Sequence, residues 1–153
     1  MAAANGLAMA FDYGTRRIGV AVGQRQTGTA SAVGVIACRA NQPDWMALER
    51  LLKDYAPQTL VVGLPLSLDG HEQPMTTAAR GFARALERRF ALPVELHDER
   101  LTSIEAGGRF AAQRAAGLKR RRDAATLDAM AAQVLLESWL TQPAPKDHRH
   151  EPA

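Results

Sequence analysis

At 153 residues the chain fits a single domain, and a domain of about this size buries roughly 70% of its unfolded surface, enough for a true core. Its 46% hydrophobic content holds no apolar run near the ~20 residues of a membrane span, and one cysteine, Cys38, excludes an internal disulfide. The net charge of +3 is mildly basic and permits a polyanionic partner.

The opening "MAAANGLAMA" has neither a basic flank nor a long apolar centre, so no leader peptide is expected and a cytoplasmic location is. Leu7 to Tyr13, Arg17 to Gly23 and Thr29 to Ile36 are short segments rich in Val, Ile, Ala and Gly, and they predict a three-stranded meander. Cys38 reads as a small apolar residue at the end of the third strand. Trp45, Leu48, Leu51, Leu52 and Tyr55 recur at helical spacing up to Pro57. "TLVVGLP" predicts a buried strand, Met75 to Phe90 an amphipathic helix, and "LPVELHD" another strand.

"LTSIEAGGRFAAQ" predicts a further helix, opened by a capping box in which Thr102 precedes Glu105 by three residues. Lys119 to Arg122 is a basic loop, Ala124 to Leu140 a long helix, and residues 141–153 a polar tail expected to be disordered. The order βββαβαβαα implies an α/β domain over residues 1–140: a mixed sheet with helices on both faces, antiparallel first and parallel after.

Acidic residues fall where a core is expected. On the last helix, the positions three and four away from Asp128 are Ala124, Ala125, Ala131 and Ala132, and Leu135 and Trp139 share that side. Asp123, Thr126, Gln133 and Glu137 cluster opposite, so Asp128 is expected to face inward, where an unpartnered carboxylate is costly. In the first strand, alternation puts Asp12 on the small face with Ala8 and Ala10. Gly19, Ala21 and Gly23 offer a second small face in the next strand. A helix packing closely over these small faces would bring Asp128 toward Asp12.

"HDER" offers a third carboxylate, and alternation at a strand end does not choose between Asp98 and Glu99. Converging carboxylates suit Mg²⁺ or Mn²⁺, and two such ions can drive an in-line displacement at phosphorus. Each acid also has a bland reading: Asp12 as a turn cap before Gly14 and Thr15, Asp98 or Glu99 as a partner of Arg100 or a cap of the next helix, and Asp128 as a partly exposed helix residue; Lys119 to Arg122 likewise reads as a solvated loop. His71 and His97 show no spacing that suggests zinc.

"FDYGTRRIGVAVG", "VVGLPLSLDG", "LHDERLTS" and "LKRRRDAATLDAMAAQVLLESWL" together resemble the YqgF (also RuvX) family of pre-16S rRNA nucleases and Holliday junction resolvases, from Leu7 to Leu140. The resemblance implies an RNase H-like fold of the RuvC type with a central mixed five-stranded sheet. It implies acidic positions at Asp12, Glu99 and Asp128, with Glu99 favoured over Asp98. It also implies the bacterial cytoplasm and a role at the 5′ end of 16S rRNA. On this reading Arg17, Arg100, Lys119, Arg120, Arg121 and Arg122 contact phosphates of structured RNA.

Three other functions share these residues. Branched DNA would require two sites in a homodimer rather than a monomer. An actin-like ATPase or sugar kinase shares the "DYGT" hairpin but needs two such domains. A non-catalytic RNA-binding assembly factor would bind without using the carboxylates. Aromatic residues make up only 5% of the chain, so base stacking is not expected to dominate recognition.

Overall fold

The computed structural model describes residues 6–101 and 124–142. The strands are β1 (Leu7–Asp12), β2 (Arg17–Gln24), β3 (Thr29–Arg39), β4 (Gln42–Pro43), β5 (Thr59–Leu64) and β6 (Val94–Asp98). The helices are α1 (Trp45–Tyr55), α2 (Pro74–Phe90) and α3 (Ala124–Thr141), and a 3₁₀ turn at Glu99–Leu101 follows β6. The capping box at Thr102, the basic loop Lys119 to Arg122 and the tail from residue 143 lie outside the described residues.

The sheet runs in the order β4-β3-β2-β1-β5-β6. β1 to β4 pair antiparallel, whereas β5 lies parallel to both β1 and β6. The expected sheet of five strands therefore has six, the addition being β4. That strand is two residues long, too short for any periodicity to show. The turn before it uses Ala40 and Asn41 at positive φ instead of a glycine that would have marked it.

Two cores form because the sheet has one large and one small face. Met9, Phe11, Ile18, Val20, Leu60 and Val62 pack under α1 and α2, with Phe82 centred among Phe11 (ring centroids 5.7 Å), Tyr13 (5.0 Å) and Trp45 (6.0 Å). Cys38 is buried in the same core. On the other face Ala8, Ala10, Ala21 and Val61 meet Ala132, Leu135, Leu136, Trp139 and Leu140 of α3.

Helix ends follow local chemistry. The Asp44 carboxylate accepts from Ala47 N–H at 3.2 Å to open α1, and Ala56 closes it in the left-handed conformation before Pro57. Pro74 begins α2 behind a reciprocal cap between Gln73 and Thr76.

The close approach of α3 to β2 is set at Gly19, where a Cβ would overlap the carbonyl oxygen of Asp128. At Gly23 a Cβ would crowd Leu136 and Leu140, each 3.0 Å away. By contrast, a Cβ at Gly81, inside α2, would meet nothing within 4 Å. Gly19→Ala is therefore expected to lower the denaturant midpoint, with a cost of about 1–3 kcal/mol as α3 is pushed outward. Gly81→Ala should raise it, with a gain in stability of about 0.5–1 kcal/mol through helix propensity alone. Equal midpoints for the two variants would contradict the tight seat of α3.

Candidate active site

The site forms where the parallel strands β1, β5 and β6 end, the edge at which open α/β sheets bind ligands. Asp12 is the last residue of β1 and stands opposite Gly19 of β2. Because Gly19 carries no side chain, the first turns of α3 rest directly on it, bringing Asp128 beside the strand end. On the other side of β1, Gly63 of β5 plays the equivalent part for Glu99. The Glu99 side chain lies over Gly63, where a Cβ would collide with its carboxylate. Two missing side chains thus let two carboxylates approach a third.

The electrostatics record that convergence. The Asp12 carboxyl is pushed up to about 8, first by burial, then by the negative charges of Glu99 and Asp128. Glu99 is also raised, chiefly by burial, although its hydrogen bond with Asp12 works in the opposite direction. Both shifts run in the same direction, because two buried carboxyls in contact are costly to ionise together.

Asp128 is not sunk in the core as the helical period predicts. Its side chain is 36% exposed, and Arg17 Nε donates to its Oδ2 at 2.6 Å. Arg17, expected on phosphates, is therefore placed against a site carboxylate. Asp98, the substitute candidate for the third acid, is engaged elsewhere. Arg100 donates to it from Nε (3.0 and 3.1 Å) and Nη2 (2.6 Å), which holds Asp98 below the usual carboxylate range. The pairing of Asp98 with Arg100 is the bland reading of "HDER", and only Glu99 turns toward Asp12.

Two residues that position α3 were not singled out for it in the sequence. His97 and Ser138, both buried, share a hydrogen bond of 2.9 Å between β6 and α3. Trp139 Nε1 donates to Glu95 at 3.1 Å, and the Arg25 guanidinium lies 4.2 Å above the Trp139 ring. The sequence signal for Ser138 was a polar residue within the apolar half of a helix. Burial pushes the His97 imidazole down, favouring its neutral form.

Among the described residues, no three His, Cys, Asp or Glu side chains already stand at ligand spacing for one ion. The donor set nevertheless fits a hard divalent cation. It consists of carboxylate oxygens that repel one another, and Mg²⁺ is commonly held by one or two carboxylates with substrate phosphates completing its shell.

The architecture is that of the RuvC-type nucleases. A solved structure, T. thermophilus RuvC in complex with Holliday junction substrate, superposes with a TM-score of 0.52 over 87% of this chain and 93% of that one, at 17% identity. At that identity the likeness establishes the fold alone. A family model described as "RuvX: Holliday junction resolvase" matches residues 6–142, and the chain belongs to the RuvX family. A relative from Xanthomonas campestris pv. campestris (strain 8004), named "Putative pre-16S rRNA nuclease", is 57% identical over 135 residues, covering 88% of this chain and 87% of its own. One of the same name from Xylella fastidiosa (strain M12) is 54% identical over 139 residues, covering 91% and 90%.

Raised carboxyl groups have a definite sign in linkage. Between the ordinary Asp value of 3.8 and about 8, the folded state binds more protons at Asp12 than the unfolded state, so folding stability from this group falls as pH rises. In metal-free buffer the melting temperature should decline from pH 5 to pH 8, and Asp12→Asn should flatten that decline. An unchanged slope in Asp12→Asn would contradict the raised Asp12 carboxyl.

Proposed function

We propose that the chain is a divalent-metal-dependent endonuclease that processes the 5′ end of the 16S rRNA precursor in the cytoplasm. Asp12, Glu99 and Asp128 are its catalytic and metal-holding residues. The observation that carries this reading is the Asp12–Glu99 carboxyl pair, seated between Gly19 and Gly63 at the strand ends with Asp128 beside it. Family membership and the names of relatives more than half identical in sequence support the reaction class and the substrate.

Mg²⁺ or Mn²⁺ held there would supply positive charge to the scissile phosphate and lower the pKa of an attacking water. The chain's own groups do the remainder. Asp12 and Glu99, when ionised, would offer such a cation two hard oxygen donors, one at the end of β1 and one in the turn that follows β6. Asp128 would join them from α3, and Arg17, whose Nε donates to it, would turn its remaining N–H groups to a phosphate oxygen. Arg100, held by Asp98, flanks Glu99, and Lys119 to Arg122 would extend the phosphate-binding surface.

A second reading, cleavage of branched DNA by a symmetric homodimer, is favoured by the description of the family itself. No helix among the described residues is long and apolar enough to cross a membrane.

Purified protein with Mg²⁺ or Mn²⁺ on a precursor 16S rRNA fragment and on a four-way DNA junction separates the readings. Cleavage of the RNA is expected, with Asp12→Asn slowing it by about 100-fold or more, through the weakened hold on the cation that would stabilise the transition-state charge. Cleavage surviving both Asp12→Asn and Asp128→Asn would remove the catalytic assignment, and cutting of the junction alone would select the second reading. RNA binding without cleavage, undiminished when all three acids become amides, would make the chain an assembly factor. Mn²⁺ should also raise the melting temperature of the unmutated protein at pH 8, and much less that of Asp12→Asn.

A further inference from the structure

A cavity of about 230 Å³ opens on the larger-residue face of the sheet, next to the strand end that carries Asp12. Tyr13, the residue after Asp12, lines it, and the Cα atoms of two successive residues stand about 3.8 Å apart. Asp12 turns to the α3 side of the sheet and Tyr13 packs on the α2 side, so a nucleotide strand crossing the sheet edge meets both.

The opposite wall belongs to the same edge. Arg17, at the start of β2, pairs with Ala37, and Cys38 N–H donates to the Arg16 carbonyl at 2.8 Å, so β3 leaves β2 where β1 ends. Ala40 and Asn41, both at positive φ, then turn the chain back into β4, and Asn41 and Gln42 line the cavity. Trp45 and Phe82 supply its apolar surface. Gly81 leaves it open on the α2 side, where an added Cβ would meet nothing within 4 Å.

The lining contains no charged residue. A phosphate or metal ion entering would lose water without gaining an opposite charge, so the cavity suits a neutral group. Of the charged groups next to it in sequence, Asp44 accepts from Ala47 N–H at 3.2 Å, and the Arg89 guanidinium lies 4.1 Å over the Trp45 ring. The lining is polar nonetheless. The Tyr13 hydroxyl and the Asn41 and Gln42 side-chain amides have no hydrogen-bond partner among the described residues. Burial, and then Cys38, push the Tyr13 hydroxyl up, which keeps it a neutral donor. The volume lies below the roughly 300–1,000 Å³ of sites for drug-sized ligands, which limits the occupant to about one planar ring system.

We infer that this cavity receives one unpaired base of the RNA strand, next to the phosphodiester held at the acids. The inference deepens the nuclease reading above and rests on it. A base is the neutral, planar part of that substrate, with an edge that Asn and Gln amides can pair and a surface that aromatic side chains can cover. The rings are in place beforehand, because Phe82 packs against both Tyr13 and Trp45, so little freedom is lost on binding. The enzyme then cuts beside an unpaired nucleotide rather than inside an unbroken duplex.

The test measures Mn²⁺-dependent cleavage of an RNA hairpin with a 5′ single-stranded extension, and of copies carrying one abasic ribose at successive positions of that extension. For the unmutated protein, the abasic ribose at one position should lower kcat/KM by about tenfold or more. Gly81→Leu, which fills the cavity, should lower kcat/KM on the intact RNA by a similar factor and lose the discrimination between intact and abasic RNA. Its melting temperature should not fall, since leucine favours the helix and its Cβ enters open space. If it does fall, Asn41→Gly combined with Gln42→Ala removes both amides while keeping the turn, and the same loss of discrimination is expected. Cleavage with no position at which the base matters, or a filled or amide-free cavity that discriminates as the unmutated protein does, overturns the base site alone. Absence of any cleavage by the unmutated protein overturns the nuclease reading and the base site with it.

Discussion

The site depends on one steric condition: the positions flanking Asp12 on both neighbouring strands carry no side chain. Gly19 admits the backbone of α3, and Gly63 admits the carboxylate of Glu99. With a side chain at either position, a second acid would be held further away, and the part of the Asp12 shift that comes from its charge would fall with distance. Proximity of like charges is unfavourable by itself, so something else must hold it. The larger face of the sheet does this, burying Met9, Phe11, Ile18 and Val20 from the same strands that carry the acids and glycines on their other side.

α3 meets the condition by dividing its length. Its far half is apolar and well anchored, with Leu135, Leu136, Trp139 and Leu140 buried and the His97–Ser138 hydrogen bond joining it to β6. Its near half is small and polar, resting on Gly19 with Asp128 partly in water. The anchored half sets the direction of the helix, and the near half can then carry a carboxylate. Bonding of β6 to α3 also couples the strand that ends at Glu99 to the helix that carries Asp128, so the two acids are positioned by one packed unit.

How much of this was legible in the sequence follows from which interactions are local. The small faces of β1 and β2 and the alanine collar of α3 obey fixed periods, so the meeting of Asp12 with α3 could be read from spacing. The choice between Asp98 and Glu99 could not. They sit where the strand gives way to a 3₁₀ turn, alternation lapses there, and the deciding contact is Gly63 on a separate strand. Nor could the helical period foresee that Asp128 stays half in water, because its partner Arg17 lies 111 positions away.

The distribution of arginines sharpens the chemistry. Asp98 and Asp128 each take a guanidinium, and Asp98 is correspondingly held low. Asp12 and Glu99 face one another at the strand ends, and both are raised. Burial and carboxyl–carboxyl contact thus act on the inner pair, whereas the outer acids are each held by an arginine. On the proposed nuclease reading, a phosphate that drew Arg17 toward itself would loosen its hold on Asp128 and leave that carboxylate beside the inner pair.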